Sequence, residues 1–292
     1  MAKNDIKSWK IGDIRVTRVP EIAGIQIPPD WLLTNVTAED VKGYDWLRPG
    51  YADDEGNLLM TIQSFVIEAG GKTILVDTGV GNDKPRMSDF FSHLDNPFLE
   101  DLARAGFPAE SIDMVVCTHL HIDHCGWNTR LVDGKWVPTF TQARYVFVEK
   151  EYEYWKVQPN EGENANVFDD SVKPVIDAGL VDLVAADHEL VPGVRLEFSP
   201  GHTPGHVCIH LDSGGQEALI TGDLIYSPLQ CANPDITSNF CSDPAQEART
   251  RRDFFTRYQN TSVRFIGTHI ADTTVGRIEP DGNNWKFVAE PG

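Results

Sequence analysis

Apolar and polar positions alternate in several short stretches of this chain, with the period of two that half-buried strands show. IRVTRVPE (14–21), TIQSFVIEAG (61–70) and KTILVDTG (72–79) come first, and Gly70-Gly71 between the last two reads as a hairpin turn. ARYVFVEK (143–150), VRLEFSPG (194–201), HVCIHLD (206–212), EALITGD (217–223) and VRFIGTH (263–269) extend the series. IDMVVCTHL (112–120) is a β-rich apolar run of the kind found in a buried strand. Helical spacing takes over in NPFLEDLARAGF (96–107) and at about residues 150–157, 167–178 and 244–259, while VGRIEPDGNNWKF reads as a final hairpin. Residues 22–60, with Pro28-Pro29, Trp31, Trp46 and Pro49, follow neither period and read as a long irregular excursion of the kind that covers a site. Strands first, then strands mixed with helices, predict an α/β sandwich rather than a bundle or a pure barrel.

Composition narrows the class. The 292 residues are 41% hydrophobic, enough for a large buried core. No apolar run of about 18 residues occurs, so no membrane partner is expected. MAKNDIKSWK at the N-terminus has charges but no apolar stretch, so no secretory signal is expected either. Five cysteines without a CxxC pair point to reduced thiols in a cytoplasmic protein. The net charge of −19 repels phosphate backbones, which counts against nucleic acid as a partner and otherwise describes a well-solvated surface.

CTHLHIDHCG (117–126) holds three of the nine histidines. In an extended strand alternate residues face the same way, so His119 and His121 are expected to aim at one point, with Asp123 and His124 facing a second point from the following turn. A single histidine is usually a surface or core residue. Four clustered polar side chains at a strand end need a shared partner, and imidazole with carboxylate suits zinc, with iron, cobalt or manganese acceptable on donor type. The lack of thiolate in the motif argues against a purely structural zinc site. SPGHTPGH then places His202 in a Gly/Pro-rich turn, LITGD places Asp223 after an apolar strand, and FIGTH places His269 after another.

HxHxDH, a histidine in a GH turn, an aspartate after a strand and a late histidine together resemble the metallo-β-lactamase superfamily over about residues 60–270. The resemblance implies one αββα sandwich domain spanning 1–292, two mixed sheets flanked by helices, with a dinuclear site between them. Carried over, His119, His121 and His202 would hold one divalent ion, Asp123, His124 and His269 the other, and Asp223 would bridge them. Asp77 of LVDTG would orient a ligand. A homodimer is expected on the same ground.

Asp223 as a bridge resembles lactonases and phosphotriesterase-like members rather than true β-lactamases. The first motif has His121 where redox members carry a glutamate, and VGRIEPDGNNWKF after His269 reads as a hairpin where glyoxalase II is expected to continue into a helical region. What remains resembles quorum-quenching lactonases and methyl parathion hydrolase-like enzymes. The expected reaction is hydrolysis of a small ester or lactone, such as an acyl-homoserine lactone, by a hydroxide bridging the two ions. Asp123 would shuttle a proton to the leaving alkoxide. Tyr226 of GDLIY occupies the place of a tyrosine that contacts the substrate carbonyl in such lactonases, although a buried or capping tyrosine is an equal reading. The alternatives are a phosphotriesterase or aryl esterase, then a β-lactamase or a non-catalytic metal-binding protein, against which the full ligand set counts. His206 and His210 read as strand or turn residues and His93 and His188 as solvated. Cys117 and Cys125 read as small buried thiols. Trp31, Trp46, Phe90 and Phe91 read as pocket lining or, equally, as core or interface.

Overall fold

The computed structural model describes residues 5–290; residues 1–4, the head of the stretch read above for a secretory signal, lie outside them. The chain opens with β1 (Lys7–Ile11) and β2 (Ile14–Ile27), then short helices α1 (Pro29–Leu32) and α2 (Ala38–Lys42). β3 (Leu58–Ala69), β4 (Lys72–Val76), α3 (Phe98–Arg104) and β5 (Met114–Val116) follow. A small hairpin, β6 (Thr129–Val132) and β7 (Lys135–Pro138), precedes β8 (Arg144–Val148), α4 (Glu149–Trp155), α5 (Lys173–Asp177) and β9 (Val181–Val184). The second half holds β10 (Glu189–Val191), β11 (Val194–Phe198), β12 (Val207–Ser213), β13 (Gln216–Ile220), α6 (Leu229–Ala232), α7 (Pro244–Tyr258), β14 (Arg264–Ile266), β15 (Val275–Asp281) and β16 (Asn284–Ala289).

These strands make two mixed seven-stranded sheets, ordered β1-β2-β3-β4-β5-β8-β9 and β10-β11-β12-β13-β14-β15-β16. The period of two explains how they stack. In β12, Val207, Ile209 and Leu211 join Val16, Phe65, Ile67, Val76 and Val116 of the other sheet in one buried seam, while Cys208 points the opposite way. That outer face packs on Phe254, Phe255 and Tyr258 of α7. The outer face of the first sheet packs on Phe98 and Leu102 of α3 and on Val175 of α5. The layers are therefore helix, sheet, sheet, helix.

Three sequence expectations change. The excursion at 22–60 is shorter and more ordered than its irregular pattern suggests. β2 runs on to Ile27 through two register shifts, β3 starts at Leu58, and between them lie α1, a capped α2 and a 3-10 turn at Asp45–Leu47. The run 112–120 is a strand only over Met114–Val116, where it pairs in parallel with β4 and β8. Beyond Val116 the backbone leaves the sheet. The Asp77 N–H donates to Val116 O at 2.9 Å, and the Thr118 N–H donates to Asp77 Oδ1 at 2.7 Å. His119 and His121 therefore sit in a loop, and strand alternation is not what aims them. The predicted helix at 167–178 begins as a π turn at Phe168–Val172 and becomes α-helical only at α5, which has Pro174 in its first turn.

Candidate metal centre

The polar clusters found in the sequence follow the carboxyl ends of β4, β5, β11, β13 and β14. Because β4 and β5 are parallel, and β13 and β14 likewise, these ends fall at one edge of the sandwich. Asp77 follows β4, His119 to His124 follow β5, His202 lies in the turn from β11 to β12, Asp223 follows β13 and His269 follows β14.

Asp223 is the centre of the cluster and is 2% exposed. Its Oδ2 lies 3.2 Å from His202 Nε2 and 3.6 Å from His119 Nε2, and its Oδ1 lies 3.0 Å from both His124 Nε2 and His269 Nε2. His121 Nδ1 approaches His202 Nε2 at 2.8 Å. Asp123 reaches His124 and His269, each at 3.6 Å. The donor atoms form two groups, His119, His121, His202 and Asp223 in one and Asp123, His124 and His269 in the other. One carboxylate of Asp223 thus offers an oxygen to each.

Hydrogen bonds at the far side of each ring fix which nitrogen faces inward. His124 Nδ1 donates to Asp77 Oδ2 at 2.9 Å, and His269 Nδ1 donates to Thr61 O at 3.1 Å. His119 Nδ1 meets Thr118 Oγ1 at 3.1 Å, and that hydroxyl donates to Asp77 at 2.9 Å. Asp77, in a left-handed conformation at φ 55°, therefore orients a ring in each group. His206, 0% exposed, accepts the Asp223 backbone N–H at Nε2 (2.9 Å) and donates from Nδ1 to Ser199 O (3.0 Å). It orients the loop that carries Asp223, a role its strand-like context hid.

The charges point the same way. Burial and the neighbouring imidazoles hold His119 and His121 well below the ordinary histidine pKa, so both offer lone pairs. Burial opposes charge on Asp223 too, but the rings of His124, His269, His119 and His202 hold its pKa well below the ordinary carboxylate value. Burial likewise opposes charge on His124 and His269, yet Asp223 and Asp123 hold both above the ordinary value. A divalent cation at the Asp223 oxygens would supply the positive charge that His124 and His269 otherwise take up as protons, and would leave both rings as neutral donors. Buried His119 Nε2 and Asp223 Oδ1 have no hydrogen-bond partner, although nitrogens lie at contact distance. That donor set fits divalent cations.

The remaining candidates divide. Tyr226, 4% exposed, stacks parallel on His269 at 5.1 Å and donates its O–H to Asp223 Oδ2 at 2.5 Å. Trp31 and Phe91 line a cavity of about 310 Å³ that opens on His121, Asp123, Asp223 and Tyr226; Trp46 and Phe90 stand exposed outside it. Cys117 and Cys125 are buried, and desolvation pushes both thiols up. His93 and His188 are exposed. His210 lies apart from the cluster, in contact with Glu197 and Glu217 at 3.2 and 2.9 Å. Two buried carboxylates that hold the loops around the site, Glu21 and Glu151, leave no mark in the sequence. Glu21 accepts the Val80, Gly81 and Trp127 N–H groups, and Glu151 accepts N–H groups from the loops around His119 and His202. Nothing in VPE or EKEYEYW separates them from surface acids.

Residues 59–259 match the metallo-beta-lactamase superfamily. The chain belongs to that family. As a member with this His/Asp cluster it is a metal-dependent hydrolase, with divalent ions as its cofactors. An N-acyl homoserine lactonase of Bacillus sp is 26% identical over 211 residues, 65% of this chain and 74% of that protein. Transcription termination factor FttA of Pyrococcus horikoshii is 26% identical over 183 residues, but these are only 27% of its length. Among solved structures, that of AidC, a dizinc quorum-quenching lactonase in complex with a product, superposes with a TM-score of 0.81 at 19% identity, covering 98% of each chain. No helix among the described residues of this metallo-β-lactamase-fold hydrolase is long and apolar enough to cross a membrane.

Proposed function

We propose that the chain hydrolyses a neutral ester or lactone with an apolar acyl portion, of the acyl-homoserine lactone type, using a zinc pair held by His119, His121, His202, Asp223, Asp123, His124 and His269. The observation that carries the reading is the cavity. Ile25, Met60, Ile62, Phe91 and Trp155 give it apolar walls, and it leads directly to Asp123, Asp223 and Tyr226. Its apolar walls suit an acyl chain.

Two divalent ions would supply an activated water at neutral pH and a Lewis acid for the carbonyl oxygen. The chain's residues do the rest. Asp223, with Oδ2 toward the first donor group and Oδ1 toward the second, would hold both ions. Tyr226, whose pKa burial and Asp223 hold well above its ordinary value, keeps its proton and can rotate its O–H from Asp223 to the substrate oxygen. Asp123, with its side chain 18% exposed at the cavity wall, is placed to move a proton to the leaving alkoxide. A phosphotriester would use the same groups, whereas the net charge of −19 disfavours nucleic acid.

The test is a parallel screen of homoserine lactones of increasing acyl length, aryl esters, phosphotriesters and a chromogenic β-lactam. The expected outcome is turnover of lactones or esters that improves with acyl length. Turnover of the β-lactam alone would overturn the reading. Tyr226→Phe is expected to lower kcat about 10²-fold with little change in KM; unchanged kcat would make Tyr226 a packing residue.

A further inference from the structure

Glu151 lies on the seven-residue α4 and is 1% exposed. Its Oε1 accepts the Leu120 N–H at 3.0 Å and the Trp155 indole N–H at 2.7 Å, and its Oε2 accepts the Gly205 N–H at 2.9 Å. Leu120 stands between His119 and His121, and Gly205 belongs to the turn that carries His202. One carboxylate thus ties together the two loops that supply all three imidazoles of the first donor group. The approach is close: a Cβ on Gly205 would lie 2.4 Å from the Glu151 backbone nitrogen. Trp155, held by the same Oε1, packs edge-on against the His121 ring at 5.2 Å and also lines the cavity.

We infer that Glu151 is a positioning residue for the first donor group, fixing the spacing of His119, His121 and His202 and linking them through Trp155 to the cavity wall. It touches no reacting atom. Its partners are all donors, so only an acceptor on both oxygens satisfies them. Glutamine has nearly the same shape, but in either orientation its NH2 faces an N–H group. A loop anchored this way is built before any ion arrives, and ligands so anchored bind metals more tightly than mobile ones. The inference rests on the divalent-metal reading of the site.

The experiment uses the full chain, stripped with a chelator and titrated with Co²⁺, reading ions bound per chain and the visible spectrum. Glu151→Gln is expected to weaken one of the two ions about 10–100-fold and leave the other unchanged, with excess Co²⁺ restoring both the weakened ion and hydrolysis. In a His269→Ala background, which keeps all ligands of the first group, the ion weakened by Glu151→Gln is expected to be the one that remains. Trp155→Phe is expected to keep both affinities and raise KM. Should Glu151→Gln fail to fold, Glu151→Asp, whose shorter carboxylate cannot reach both loops, is expected to show the same selective weakening. A lower melting temperature of the stripped variant with both ions bound as in wild type would overturn the inference and leave the metal reading standing. A wild-type chain that binds fewer than about one ion would overturn both.

Discussion

Asp77 reaches both donor groups, His124 directly and His119 through Thr118. Replacing it with alanine frees two rings to rotate. Asp77→Ala is therefore expected to weaken metal binding about 10–100-fold while leaving every ligand in place; calorimetric titration of stripped protein measures this, and unchanged affinity would contradict the role given to it. The ligand types were legible because histidines and aspartates at strand ends have few other reasons to cluster. Glu21, Glu151 and His206 were not legible, since their roles depend on backbone N–H groups far away in sequence. Asp77 was visible only through the family resemblance, and the structure supplies its physical reason.

Among the elements, β5 shows most clearly what pattern can and cannot say. Its apolar run reads as a strand to residue 120, but hydrogen bonds from Asp77 and Thr118 end it at Val116. Side chains that alternation would have aimed are aimed instead by loop contacts. One of these is tight: a Cβ on Gly126 would lie 1.8 Å from Val80 O. Gly126→Ala is expected to push the Val80 loop away from the histidine motif, lowering stability by about 3 kcal/mol in denaturant unfolding and weakening metal binding with it. In the buried seam between the sheets, Leu211→Ala is expected to cost about 2–5 kcal/mol without changing metal affinity, which separates packing from site. The order within 22–60 is not legible because its prolines, tryptophans and short helices have no sustained period, although long β2 and β3 flank it closely and Trp31 and Leu32 reach the cavity.

For the whole molecule, pH and metal act on stability in ways that can be separated. Burial raises the Glu21 carboxyl from 4.5 to about 6. The folded state then holds an extra proton between those values, so this group's contribution is full below about pH 4.5 and is lost as pH rises through 6, on the order of 2 kcal/mol. Glu21→Gln in stripped protein is expected to flatten the stability slope of wild type across that window; parallel slopes would contradict it. Metal acts through mass action: an ion at about 1,000 times its Kd adds about 4 kcal/mol, so stripping is expected to lower the melting temperature by about 10 °C. The most direct measurement for the central claim is elemental analysis of protein purified without chelator, set beside Asp223→Ala. A dinuclear centre bridged by Asp223 predicts about two divalent ions per chain in wild type, with fewer ions and lost hydrolysis in the variant. Fewer than about one ion in wild type, or full metal and activity in Asp223→Ala, would contradict it.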